Sequence, residues 1–281
     1  MFRLQKRRSA TFTELRISDY GERPGVINLL LQWPAVLTRF VFRSIYHNQH
    51  TMDYPMFEEW LLIHKYTLKH VDIGFLHRHG SNRLFNARRF PKLELLRLSR
   101  WQMHNPAQFM PEDSNVLGPS LKTFAWDFTV YDQHSEGWSD FGESEANWVK
   151  TLAEIAISCK SALREIHIQF TPDELWGTTE EMGYPWDWME KVKDESFKPN
   201  GLGLVYNEPS ISKDTWLNFC RTGEYGGDGN EEIADGTADS EQCSMADEEE
   251  SANLFASVLQ SAYQGEDIRG YLISVSKASG G

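Results

Sequence analysis

Cysteine is scarce in this chain. There are three in 281 residues, at positions 159, 220 and 243. They form neither a CxxC pair nor a disulfide framework, which fits a reducing compartment. Long apolar runs are missing too: none approaches the ~18 residues that a membrane helix needs. The opening residues are basic but lack the apolar stretch of a signal peptide, and the basic run at 6–8 is too short to argue nuclear import. These absences lead us to expect an intracellular protein of the cytoplasm or nucleus, with no membrane partner. Catalytic signatures are absent as well. The sequence contains no HExxH, no GxSxG and no Walker loop, so neither an enzyme nor a cofactor is expected.

A basic excess is also missing. The formal net charge is −13, but it is unevenly placed: residues 224–250 hold 11 Asp or Glu and no Lys or Arg, leaving 30 acids against 28 bases elsewhere. The remainder is nearly neutral, which argues against nucleic acid as a partner. Three regions follow from this patterning. Residues 1–222 form the folded domain, 223–250 an acidic disordered linker, and 251–281 a weakly structured tail. Within that tail, 251–263 has an amphipathic helical pattern, and 268–275 reads as a lone strand or as nothing stable.

What the chain does have is a recurring pattern of apolar, two residues, apolar, one residue, apolar. It occurs at Phe12/Leu15/Ile17, Leu37/Phe40/Phe42, Leu68/Val71/Ile73, Leu93/Leu96/Leu98, Leu121/Phe124/Trp126 and Leu163/Ile166/Ile168, with first-position spacings of 25, 31, 25, 28 and 42 residues. The last two members of each triplet obey the period of a strand. The intervals have room for a helical or irregular return, with helices expected over 26–33, 54–67, 144–159, 186–193 and 212–221. A further strand is expected at 203–206. No unit can bury its apolar side alone, so strands of successive units must pair side by side. The expected fold is α/β, an irregular leucine-rich-repeat-like solenoid of short parallel strands with helical or irregular returns.

The residues between the apolar positions then share the opposite face of the sheet. They include Glu14, Arg16, Arg39, Arg43, His70, Asp72, Leu95, Arg97, Ser99, Ala125, Asp127, Glu165, His167 and Gln169. From this set Arg16, Arg39, Arg43, Asp72, Arg97, Ser99, Asp127 and His167 are the expected protein-binding residues. The arginines suit a partner bearing carboxylates, including a phosphorylated segment; a soluble sheet face must also be polar on general grounds, and the acidic linker is a second source of negative charge. Two polar groupings invite a metal reading, His77 and His79 near Asp72, and Asp132 with His134 and Glu136. Ordinary loop hydrogen bonding explains both more simply, and no metal is expected. Cys159, with no histidine nearby in sequence, reads as an inert small side chain.

The strand pattern resembles the leucine-rich repeat family. Residues 30–34, 60–74, 90–101, 121–170, 176–188 and 201–216 more narrowly resemble the fungal F-box-associated leucine-rich-repeat-like proteins, over roughly residues 11–220. The resemblance implies a substrate-recognition role in a ubiquitin ligase adaptor: an F-box would dock on the linker subunit of a cullin ligase, and the repeats would select a protein substrate. The F-box, a helical segment opening on a Leu-Pro element, is not found here, since a strand begins near Phe12. The linker subunit is therefore an expected partner only if an F-box stands upstream. Trp101 and Tyr20 hold the places where the family carries the Asn that bonds the turn backbone.

Overall fold

The computed structural model describes residues 7–20, 23–44, 51–76, 81–104, 107–128, 141–170, 183–209, 211–222 and 272–276. Their strands are β1 (Glu14–Tyr20), β2 (Arg39–Ser44), β3 (His70–Ile73), β4 (Leu95–Ser99), β5 (Thr123–Asp127), β6 (Glu165–Gln169), β7 (Gly203–Tyr206) and β8 (Leu272–Ser276). The helices are α1 (Pro24–Leu31), α2 (Tyr54–Leu61), α3 (Glu143–Ser158), α4 (Pro185–Val192) and α5 (Lys213–Thr222). One sheet runs in the order β7-β6-β5-β4-β3-β2-β1-β8. Strands β1 to β7 are parallel to their neighbours, and β8 pairs antiparallel with β1.

The apolar triplets set the register. Leu15, Phe40, Val71, Leu96, Phe124, Ile166 and Leu204 pair in one row, and Ile17, Phe42, Ile73, Leu98, Trp126 and Ile168 pair in the next, which β7 continues with Tyr206. Apart from Tyr206, every member of both rows is buried. Leu37, Leu68, Leu93, Leu121 and Leu163, the leading residues, are buried as well, whereas Phe12 is only partly so.

A regular backbone ladder enters each strand. Thr38 N–H donates to Thr13 O at 2.7 Å. Lys69 donates to Thr38, Glu94 to Lys69, Lys122 to Glu94, Arg164 to Lys122 and Gly203 to Arg164, each at 2.8 Å. The same bond recurring across unequal intervals shows that the units repeat in geometry, though their lengths differ.

The returns bring their apolar sides onto the same face of the sheet. Leu30 and Leu31 of α1, Phe57 and Leu61 of α2, Trp148 and Leu152 of α3 and Met189 of α4 join the strand rows in one core. Aromatic contacts knit the layers, with Phe42 and Phe57 centroids 4.9 Å apart and Trp126 and Trp148 4.6 Å apart. Helix starts follow local chemistry. Pro55 occupies the first turn of α2, and Asp53 Oδ1 accepts the Met56 N–H at 2.9 Å. Ser212 Oγ accepts the Thr215 N–H at 3.1 Å ahead of α5.

Several expectations change in detail. The helix expected over 54–67 is α-helical only to Leu61, and a 3₁₀ turn covers Leu62–His64. Thr67 Oγ1 then donates to Leu37 O at 2.8 Å, which tethers the chain as it turns into β3. The return between β4 and β5, where no helix is expected, contains a 3₁₀ helix, Pro111–Val116, closed by Met110 N–H donating to Asp113 Oδ2 at 3.0 Å. The strand near the C-terminus is not alone: β8 adds to the free edge of β1. The expected linker 223–250 and the amphipathic pattern at 251–263 lie outside the described residues.

One buried ion pair ties a return to the helix layer. Arg100, 1% exposed, donates through Nη2 to Glu145 Oε1 at 2.7 Å and through Nε at 3.2 Å. The guanidinium also lies over the Trp126 ring, 5.9 Å from its centroid. The other oxygen of Glu145 accepts the Gly142 N–H at 3.1 Å and closes the start of α3.

Two stability measurements by urea unfolding follow. Leu96→Ala removes a fully buried row member and should lower the unfolding free energy by about 2–5 kcal/mol, while the outward Val205→Ala should change it by less than about 0.5 kcal/mol. Arg100→Met leaves Glu145 buried without its cation and should cost about 3–5 kcal/mol. Arg100→Met combined with Glu145→Gln, which keeps the helix cap, should recover most of that loss.

Candidate binding face

The face opposite the core carries polar rows in the same register. One row is Glu14, Arg39, His70, Leu95, Thr123, Glu165 and Gly203; the next is Arg16, Val41, Asp72, Arg97, Ala125, His167 and Val205. A third brings Ser99, Asp127 and Gln169 side by side. None of the residues in these rows joins the connected hydrophobic cluster of the other face, although Val41 and Ala125 are themselves buried.

Charge on this face is paired internally. Arg43 Nη1 and Nη2 donate to Asp72 Oδ1 and Oδ2 at 2.7 and 3.0 Å, a two-pronged bond. Nη2 also stands 3.9 Å from Asp127 Oδ2. Reaching from β2 to β5 means crossing three strand spacings, about 14 Å, and the intervening strands offer only small residues there. A Cβ on Gly74 would stand 2.8 Å from Arg43 Cδ, so glycine leaves the lane in which the arginine lies. Arg97 completes the group, with Nε 3.2 Å from Asp127 Oδ2 and Nη2 donating to Gln169 Oε1. The Nε–H is not aimed along the 3.2 Å vector, so that contact is an ion pair rather than a hydrogen bond. Two cations and two anions thus form a neutral quartet across β2 to β5.

The flanks are looser. Arg39 Nη1 is 3.9 Å from Glu14 Oε2. Glu165 Oε1 accepts from Thr123 Oγ1 at 3.0 Å and lies 3.1 Å from His167 Nε2. Burial, with the Arg39 guanidinium adding to it, pulls the His70 imidazole down to about 4, so this ring is uncharged at neutral pH.

Beside the quartet is a cavity of about 350 Å³. Leu95, Ala125, Ile168, Val205 and Tyr206 supply its apolar lining, and His70, His167, Gln169 and Asn207 line it as well. Val205 is 48% exposed.

Of the eight sequence-predicted site residues, the structure brings Asp72, Arg97 and His167 to this cavity, together with Arg39. Arg43 and Asp127 belong to the adjoining quartet. Arg16 is exposed in the same row, on β1, apart from the cavity. Ser99 is 1% exposed; its backbone N–H donates to Tyr54 Oη at 3.0 Å, and its hydroxyl accepts the Trp101 N–H at 3.2 Å, so it serves the turn rather than the surface. Val205 and Asn207 were missed, because β7 lacks the leading apolar residue of the other units: Gly201, in the left-handed conformation at φ 68°, ends the turn before it.

Side chains bond the backbone where the chain leaves its strands. Trp101 Nε1 donates to Phe128 O at 3.0 Å, and Asn207 bridges Phe170, accepting its N–H at 2.7 Å and donating to its O at 2.6 Å. His77, His79, Asp132, His134 and Glu136 lie outside the described residues. Among the described residues there is no group of three or more potential metal ligands and no helix long and apolar enough to cross a membrane. Compared with family models, curated proteins and solved structures, the chain has no match in any of the three.

The lowered His70 value links stability to pH. Between its ordinary 6.5 and about 4 the unfolded chain takes up a proton on this ring that the native chain refuses. Stability should therefore fall as pH drops through that window and level off below it. Urea unfolding at several pH values should show a shallower acid loss for His70→Gln than for the unmodified chain. An NMR titration placing His70 at its ordinary value would contradict the assignment.

Proposed function

We propose that this chain is a non-catalytic protein-recognition module built as an irregular leucine-rich-repeat-like solenoid. In this reading it serves as the substrate-selecting part of a ubiquitin ligase adaptor. One observation carries it. Seven parallel strands in sequential order send their apolar side chains into a core on one face, which frees the other face, with its cavity, for contact. Repeat arrays use their exposed sheet surfaces in this way, because stacked units fix side chains from many strands in one rigid display. The recurrent entry bond and the side chains that stand in for the family Asn, Trp101 and Asn207, support the repeat reading. The ligase role rests on the sequence resemblance alone. A second reading, an interaction or structural module without ligase coupling, shares the same face.

The test is affinity capture of the full chain from its own cells, compared with Arg39→Glu/Val205→Asp, changes at a half-buried and an exposed position that leave the quartet intact. The proposal expects a captured protein that the double variant retains at least about tenfold less well, with an unchanged melting temperature. It also expects a longer cellular half-life of the captured protein when this chain is removed, and the cullin linker subunit in the same complex when an upstream F-box extension is present. Equal capture by the variant overturns recognition through this face. Capture with no half-life change, and with no linker subunit even when the upstream extension is present, overturns the adaptor role in favour of the second reading.

A further inference from the structure

Every guanidinium in the quartet already holds a carboxylate, and both carboxylates are nearly buried: Asp72 is 7% exposed and Asp127 4%. An incoming carboxylate or phosphate could take Arg97 or Arg43 only by displacing one of them. That would strand a negative charge in a site that water barely reaches. It would also set the new anion against Asp72 and Asp127 at close range. A cation is opposed by Arg39 and Arg97 at the cavity wall, and it would have to compete with guanidinium groups already in contact with the acids.

The lining offers an incoming anion only Arg39 outside the quartet, which stands 3.9 Å from Glu14 Oε2, and offers a cation only Asp72, which Arg43 already holds. Leu95, Ala125 and Val205 come from three strands, with Ile168 and Tyr206 also in the lining; the His167 ring stands between Ala125 and Val205 in their row, and the His70 ring is uncharged at neutral pH. At about 350 Å³ the cavity sits near the lower end of the range for ligand sites. One large side chain with its adjoining backbone suits it better than an extended ligand. Gln169, which lines the cavity, gives its carbonyl oxygen to Arg97, so its amide N–H groups are the donors a peptide carbonyl would meet.

From this geometry we infer that the cavity takes an uncharged apolar side chain, of leucine or phenylalanine size, from an extended segment of a protein partner, and that the Arg43–Asp72–Asp127–Arg97 quartet excludes acidic and phosphorylated segments. The inference rests on the recognition reading above and names the chemistry of the group recognised. The arginines thus act as selectivity elements, held in place by their own acids rather than waiting for those of a partner.

The experiment is methyl NMR on the full chain labelled at Leu, Val and Ala, titrated separately with three capped amino acids: N-acetyl-leucine methylamide, N-acetyl-glutamate methylamide and N-acetyl-phosphoserine methylamide. The leucine probe should shift the Leu95, Ala125 and Val205 methyls saturably, while the two anions do not at the same concentrations. Val205→Asp should weaken the leucine response about tenfold. Asp127→Asn removes the carboxylate shared by Arg43 and Arg97, and it should open the site to the glutamate probe. Stronger saturation by either anion in the unmodified chain, or no saturable shift of these methyls with any probe, overturns the inference. Loss of the leucine response with face-dependent capture of a partner intact overturns this inference alone. A leucine response alongside capture that ignores the face overturns the recognition reading alone.

Discussion

The fold depends on in-register stacking of apolar side chains from neighbouring parallel strands. No single strand has enough apolar surface to order itself, because each of β1 to β7 contributes only two inward side chains and, in β2 to β6, a leading leucine. Ordering a residue costs about 1–2 kcal/mol in backbone entropy alone. Compensation comes only when Leu96 has Val71 on one side and Phe124 on the other, with the helix layer beneath. The six-residue pattern therefore makes sense only as a collective device, and unequal returns are tolerated because each need only deliver the next strand to the same register. The entry bond from Thr38 through Gly203, nearly constant in length, is the backbone expression of that constraint.

The same register decides the chemistry of the opposite face. Parallel pairing at period two places Asp72 beside Arg97, and Glu14 beside Arg39. Two small residues, Gly74 and Ser99, separate Arg43 from Asp127 and let the arginine lie along the sheet. The result is a surface rich in charge that has little net charge to offer. Pairing of this kind gives specificity through what it refuses as much as through what it attracts, and the apolar lining next to the quartet is where an uncharged group meets least opposition.

Much of the architecture was legible in the sequence because the apolar triplet is a local pattern with a single physical solution. The strands β1 to β6, their inward residues and the long helix before β6 all follow from it. The seventh strand was legible only as a strand, since Gly201 replaces the leading leucine. The pairing of β8 with β1 joins residues about as far apart in sequence as the chain allows, and no local pattern encodes it. The outward residues were legible as a set, but their pairing was not. Arg43 and Arg97 look like free cations in sequence, and it takes the cross-strand register, together with the empty lane over Gly74, to show that each is already held. Ser99 has the parity of a surface residue, yet it is engaged by the Tyr54 hydroxyl, a contact spanning 45 residues. The cavity draws on six strands, β2 to β7, and had no sequence signal beyond the polar alternation.

Stacking itself is most directly tested by double-mutant cycles on unfolding free energy. Leu96→Ala and Phe124→Ala, neighbours in one row, should be coupled by about 0.5–3 kcal/mol, while Leu15→Ala and Ile166→Ala, at distant positions in the same row, should add within about 0.5 kcal/mol. Additive effects for the neighbouring pair, or equal coupling for the distant one, would contradict the arrangement of rows on which both faces of the sheet depend.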